Sequence, residues 1–332
     1  MIKIPLLHML EKRIFEISDK NEFESLALEV FEYQFNNNTI YRQFSKLLHK
    51  TPGVVNKIQD IPFLPIEFFK TKNIVSDTRT PQTIFSSSGT TGTVTSKHHV
   101  TDLRLYEKSF LKTFIKFYGA PSDYIFLALL PSYLERQGSS LIYMADHLIK
   151  SSGNKESGFY LNDLDSLSEK LEQLDSGGKK VFLIGVSFAL LDLIEKRRFR
   201  LKNTIIMETG GMKGRRKEMI REELHQHLKK GFGIENIHSE YGMTELLSQA
   251  YSKGKGVFEC PGWMDILIRD PEDALSLLPE GKTGGINVID LANINSCSFI
   301  ATQDLGRIKN NEIEILGRFD NSDVRGCNLL LL

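Results

Sequence analysis

The stretch Phe85-Ser86-Ser87-Ser88-Gly89-Thr90-Thr91-Gly92-Thr93 concentrates hydroxyls and glycines behind a short apolar lead. Hydroxyls donate to phosphate oxygens, and glycines let the backbone approach an anion with its N–H groups turned inward. No Gly-Lys-[Ser/Thr] closes the run, so it is not a Walker A loop; the nearest lysine is Lys97. Three later stretches carry further chemistry. Ser239-Glu240-Tyr241-Gly242-Met243-Thr244-Glu245 offers an aromatic ring, a hydroxyl and a carboxylate. Thr302-Gln303-Asp304-Leu305-Gly306-Arg307-Ile308 offers a second carboxylate, and Leu316-Gly317-Arg318-Phe319-Asp320 a guanidinium. Each alone has an ordinary reading: a polar linker for the first, core packing for Tyr241, a helix-dipole position for Glu245, and a turn at Asp304.

These residues need a frame. Tyr124 to Leu130, Val181 to Val186 and Thr204 to Met207 are continuous apolar runs of strand length, and helical patterns follow them. Asp163 to Leu174, Ala189 to Lys196 and Arg216 to Lys230 are the predicted helices, with another ending near Phe117. The alternation predicts an α/β fold with a mostly parallel sheet. Ligands gather beyond the carboxyl ends of such strands. Ser187, Gly210-Gly211 and the Pro131-to-Gly138 loop lie at strand exits and are expected to face one cleft. Tyr133, Gly185, Ser239 and Met243 are expected beside it, lining a substrate pocket. Upstream, Phe23, Leu26, Ala27, Val30 and Phe31 mark an amphipathic helix opening at Asn21, and Tyr41 to His49 a second. Residues 1–80 form a helical lead-in packed on the main body, 81–252 the α/β core, and 253–332 a β-rich subdomain of short strands with a tail.

Composition excludes several classes. Of 332 residues, 41% are hydrophobic and 25% charged, as in an ordinary globular protein. Basic and acidic residues balance at 42 each, so no overall charge favours nucleic acid. The Met1-Ile2-Lys3-Ile4-Pro5 start lacks a signal peptide's apolar core, no run reaches membrane-spanning length, and three scattered cysteines make no disulfide framework. A cytoplasmic protein without integral membrane association is expected; self-association is left open.

In this order, the four stretches resemble the signature blocks of the adenylate-forming superfamily, over about residues 80–326. Phe63 to Lys70, Ser96-Lys97-His98-His99, and Asn321 to Leu329 narrow the resemblance to the acyl-protein synthetases, the LuxE-type ligases of fatty-acid reductase complexes. The resemblance implies the N-terminal-domain fold of that superfamily and an acid–thiol ligase using ATP and Mg²⁺. A carboxylic acid, expected to be fatty, would become acyl-AMP with release of pyrophosphate, and the acyl group would pass to a protein cysteine. It implies that Ser87, Ser88, Gly89, Thr90, Thr91 and Gly92 cradle the β- and γ-phosphates. Thr244 would meet the α-phosphate and Glu245 the metal. Tyr241 would stack on adenine, with Gly210, Gly211 and Gly242 allowing close approach. Asp304 would take both ribose hydroxyls, and Arg318 and Asp320 match the hinge block. Cys327 is the positional match to the family's acyl acceptor, and an acyl reductase would be the onward partner.

Superfamily members continue past the hinge block into a mobile domain that carries an adenylation lysine. Here that domain is expected to be absent or vestigial, with Lys97 as the nearby substitute. Three other readings stand beside this one. Free CoA could replace the protein thiol. His98 and Asp102 form His-x-x-x-Asp, the pattern of ATP-independent acyltransferases with a histidine base. A non-catalytic adenylate-binding partner module is the third. Cys260 and Cys297 read as core residues.

Overall fold

The computed structural model describes residues 3–87, 94–130, 138–161, 163–210 and 219–318. The lead-in folds as α1 (Lys3–Ile14), α2 (Lys20–Asn37) and α3 (Thr39–Leu47). α2 opens one residue earlier than Asn21 because Asp19 caps it, accepting from Glu22 N at 2.9 Å, while the Glu22 carboxylate accepts from Ser18 N. A short strand β1 (Leu64–Pro65) and the single turn α4 (Phe68–Thr71) follow. β2 (Thr83–Ser86) and β3 (Lys97–Val100) pair antiparallel.

The α/β alternation then appears as expected. α5 (Leu103–Tyr118), β4 (Ile125–Leu129), α6 (Ser140–Ser152), β5 (Gly158–Tyr160) and α7 (Leu164–Ser176) come first. β6 (Val181–Gly185), α8 (Ser187–Lys196), β7 (Thr204–Glu208), α9 (Arg221–Phe232), β8 (His238–Tyr241) and β9 (Ala250–Ser252) complete it. The helix expected from Arg216 begins at Arg221 among the described residues. The sheet runs β5-β4-β6-β7-β8-β9, parallel except for β9. Every residue of β4 and β6 is buried, which is why both read as unbroken apolar runs. Phe114 of α5 meets Phe126 and Phe182 with ring centroids 5.5 and 5.2 Å apart, fixing helix to sheet.

A second sheet follows: β10 (Val257–Phe258), β11 (Met264–Arg269), β12 (Thr283–Asp290), β13 (Phe299–Lys309) and β14 (Glu312–Arg318), ordered β10-β14-β13-β12-β11. β1 adds to it parallel to β13. Buried amides of α2 lock the lead-in onto this sheet. Gln34 Nε2 donates to Ile294 O at 2.9 Å, and Asn38 Nδ2 to Ser296 O at 3.0 Å. Among the described residues, no helix is long and apolar enough to cross a membrane.

Candidate active site

The hairpin base and the Thr244-Glu245 turn are tied together. Ser87 and Ser96 close the hairpin: Ser87 N donates to Ser96 O at 3.1 Å, and Ser96 N to Ser87 Oγ at 2.9 Å. Ser88, Gly89, Thr90, Thr91 and Gly92 lie outside the described residues. Ser96 is buried and its hydroxyl serves the Glu245 carboxyl. On the next turn of β3, the His98 Nδ1–H donates to Thr244 O across 2.8 Å, and Nε2 lies 3.0 Å from Asn293 Oδ1. Asn293 Nδ2 in turn donates to Glu245 O at 2.8 Å. Burial raises the Glu245 carboxyl above the ordinary range, against the pull of Ser96. Burial outweighs the partners of His98 and lowers its imidazole to about 4.

The third and fourth blocks meet at Tyr241. Its hydroxyl donates to Asp304 Oδ2 at 2.8 Å, and Arg318 Nε stands 3.6 Å from Asp304 Oδ1. The Tyr241 ring is buried edge-on to Phe258, 6.3 Å between centroids. Burial raises Asp304 above the ordinary carboxylate range, opposed by Arg318 and the Tyr241 hydroxyl. Irregular pairing sets where this carboxylate sits. β13 uses Thr302, Gln303 and Asp304 where β12 uses only Ile286, between the pairs Asn287↔Ala301 and Gly285↔Leu305. Asp304 then faces Arg318 directly across the β13–β14 ladder.

At the exits of β6, β7 and β8 the side chains differ from expectation. Ser187 and Ser239 are fully buried and engaged, not lining an open acyl cleft. The Ser187 hydroxyl donates to Glu208 Oε2 at 3.1 Å, and the Ser239 hydroxyl lies 3.2 Å from His225 Nε2. Glu208 also accepts from Gly210 N at 2.8 Å, and its Oε1 has Arg221 Nε and His225 Nε2 each at 3.5 Å. Burial opposes ionisation of Glu208, yet His225, Arg221 and Gly210 N hold it down at about 2. Gly185 packs inward, since a Cβ there would stand 2.7 Å from Leu190 Cδ2. Gly210 has a φ of +72° and open space on its Cβ side, as a close backbone approach requires. Met243 and Gly242 are half-buried, and Gly242 is occupied from within: a Cβ on it would meet Glu240 Oε1 at 2.3 Å. Burial and neighbouring Glu208 push the Glu240 carboxyl up to about 8. Gly138 O accepts from Ser86 N at 2.7 Å, which ties Gly138 to β2. Lys97 is exposed on β3, opposite Ser86. Tyr133, Gly211, Asp320 and Cys327 lie outside the described residues.

The His98-x-x-x-Asp102 pattern does not form a catalytic pair. His98 faces Thr244 and Asn293, whereas Asp102 caps α5 and binds Arg104 Nη2 at 2.7 Å and Arg79 Nη1 at 3.2 Å. Cys297 is fully buried and burial pushes its thiol up to about 12; Cys260 is pushed up too. Sequence reasoning passed over Glu208, Asn293 and Arg269. Glu208 and Arg269 were legible only as strand ends, and Asn293 as one residue of a polar turn.

One carboxylate beside a hydroxyl-rich hairpin suits Mg²⁺, which keeps waters and phosphate oxygens as its other ligands. No cluster of three or more histidine, cysteine or acidic side chains is placed to hold a metal among the described residues.

Solved structures share this fold. The chain is similar to ATP-bound MatB from Rhodopseudomonas palustris, with 19% identity and a TM-score of 0.53 over 71% of this chain and 47% of that one. It therefore spans about half the length of MatB. A 2-hydroxyisobutyryl-CoA ligase holding 2-HIB-AMP and CoA superposes with a TM-score of 0.66 and 12% identity, over 92% of this chain and 70% of that one. The fold is that of the N-terminal domain of adenylate-forming enzymes.

Residues 153–332 match the family model described as acyl-protein synthetase, LuxE, and the chain belongs to that family. A long-chain-fatty-acid–luciferin-component ligase of Vibrio harveyi is 23% identical over 328 residues, 92% of this chain and 85% of that protein.

Proposed function

We propose that this protein is an ATP-dependent acyl-activating ligase of the acyl-protein synthetase type. The observation that carries the reading is convergence. Hydrogen bonds join the hairpin base at Ser87 and Ser96 to the Thr244-Glu245 turn, and the Tyr241–Asp304–Arg318 group, itself bonded together, lies within electrostatic reach of Glu245. Unrelated polar turns have no reason to assemble in this way.

A carboxylate is a poor electrophile, because its leaving group would be oxide. In the proposed first step a carboxylate oxygen attacks the α-phosphorus of ATP. A P–O bond forms, the α–β anhydride breaks, and pyrophosphate leaves. Ser87, Ser88, Gly89, Thr90, Thr91 and Gly92 would hold the β- and γ-phosphates and Thr244 the α-phosphate. Asp304 would accept the ribose hydroxyls, its free lone pairs suited to a diol while Tyr241 and Arg318 fix its plane. Mg²⁺, held by Glu245, would supply charge neutralisation on the phosphates. Gly210 would admit the adenine, with Tyr241 beneath it.

In the second step a thiolate attacks the acyl carbon, a C–S bond forms, and AMP leaves. The acceptor we propose is Cys327, with Arg325 favouring its thiolate and a partner protein thiol receiving the group onward. A fatty acid is the proposed substrate, in keeping with the named activity of the Vibrio relative.

Hydroxylamine trapping tests the reading. Incubation with Mg·ATP and a panel of fatty, aryl and short acids should give the hydroxamate of at least one fatty acid, dependent on ATP. Hydroxamate from none of the acids would contradict it.

A further inference from the structure

The β12–β13 irregularity that presents Asp304 leaves a structural problem. Where one strand uses three residues against one, ladder bonds are lost, and carbonyls inside a sheet need other donors. Arg269, the last residue of β11, supplies them. Its Nη1 donates to Ile286 O at 2.6 Å and to Asn287 Oδ1 at 3.0 Å, and its Nη2 donates to Thr302 O at 2.5 Å. Ile286 and Thr302 are the residues on the two sides of the irregularity. Thr302 Oγ1 completes the arrangement, donating to Ile286 O at 3.0 Å and accepting from Asp304 N at 3.1 Å.

The backbone is shaped to admit this side chain. A Cβ on Gly285 would stand 2.5 Å from Arg269 Cζ, so the guanidinium occupies space that any larger residue would fill. A planar fork can span carbonyls on two strands at once; the point charge of a lysine cannot. The charge also matters at Asp304. Arg269 and Asp304 attract one another, and Tyr241 lies within the same field.

We propose that Arg269 is the positioning residue of the Tyr241–Asp304 pair: its guanidinium fills the β12–β13 irregularity and so orients the Asp304 carboxylate for the ribose diol of a nucleotide. The ligand half of this inference rests on the proposed ATP site; the half concerning Asp304 does not. Other groups acting on Asp304 are Arg318 of β14, Tyr241 of β8, Arg221 of α9 and Glu245. Removing Arg269 leaves these in place, so its own effect is separable.

The test uses the full chain as wild type, Arg269→Met, Arg269→Gln, Arg269→Lys and Asp304→Asn. Carbon-13 NMR follows the Asp304 carboxyl through a pH titration without nucleotide. Loss of the positive charge should move its midpoint upward in both neutral variants. Arg269→Gln retains one donor for the carbonyls and decides the matter if Arg269→Met does not fold. An unchanged midpoint in a folded neutral variant would overturn the proposal, because a merely structural arginine would alter the melting temperature alone.

Competition binding then compares ATP with 2′-deoxy-ATP and 3′-deoxy-ATP. Wild type should prefer ATP, and Arg269→Lys, with its charge but no fork, should lose about tenfold of that preference, approaching Asp304→Asn. Full preference in Arg269→Lys would overturn the positioning role while leaving the ATP site standing. No preference in wild type would instead overturn the ribose role of Asp304, and with it the ligand half of this proposal.

Discussion

Tyr241 and Asp304, 63 residues apart in the chain, share a 2.8 Å hydrogen bond that joins the parallel sheet to the second sheet. The bond leaves Tyr241 as donor and Asp304 as an acceptor with lone pairs to spare. Tyr241→Phe removes the donor while keeping the ring against Phe258. Loss of a hydrogen bond to a charged group is worth about 1.5–3 kcal/mol, so KM for ATP should rise roughly tenfold or more. Steady-state kinetics check this, and an unchanged KM would detach the pair from nucleotide binding.

Glu208 should prove a stabilising residue and not an acid–base catalyst. Its carboxylate, buried among Ser187, Gly210 N, Arg221 and His225, is held at about 2, below the ordinary 4.5. A depressed value means that its stabilisation is complete above the ordinary range and is lost as pH falls from there toward 2. Glu208→Gln should cost on the order of 3 kcal/mol at neutral pH, as for a broken buried ion pair. Urea melts of both proteins should converge as acid is added.

Buried His98 and half-buried His238 add an acid sensitivity at higher pH. Burial lowers both His98 and His238 from 6.5 to about 4. The unfolded chain then takes up protons that the folded chain refuses, so stability falls as pH drops from 6.5 toward 4. The slope should be about 1.4 kcal/mol per pH unit for each histidine. His238→Asn should remove one share of that slope, read from denaturation midpoints across the window.

The parts legible in sequence were those whose signal is local. Buried parallel strands such as Val181–Gly185 leave unbroken apolar runs, and the helices between them keep their period. The motif blocks were legible because chemistry fixes residue types. What could not be read was where side chains at strand exits point. Ser187 and Ser239 looked like cleft residues until Glu208 and His225, distant in sequence, were seen to take their hydroxyls. The bulge at Thr302–Asp304 was equally hidden, because it exists only in the pairing with Ile286. His98 and Asp102 share a motif spacing but face different neighbours, since one belongs to a strand and the other to a helix cap.

Cys327 carries the proposed transfer step and can be tested alone. Wild type incubated with ATP and a radiolabelled fatty acid should retain label after denaturation, releasable by neutral hydroxylamine as a thioester requires. Cys327→Ser should not retain it. Equal labelling of both proteins would move the acceptor elsewhere.

ATP–pyrophosphate exchange reads out adenylation itself. Wild type, Glu245→Ala and Cys327→Ser are assayed side by side with fatty, aryl and short acids. Acid-dependent exchange is expected in wild type, abolished in Glu245→Ala and retained in Cys327→Ser, with acid-side activity falling at a pH above the ordinary carboxylate range because burial raises Glu245. Absence of exchange with every acid, or exchange untouched by Glu245→Ala, would contradict it.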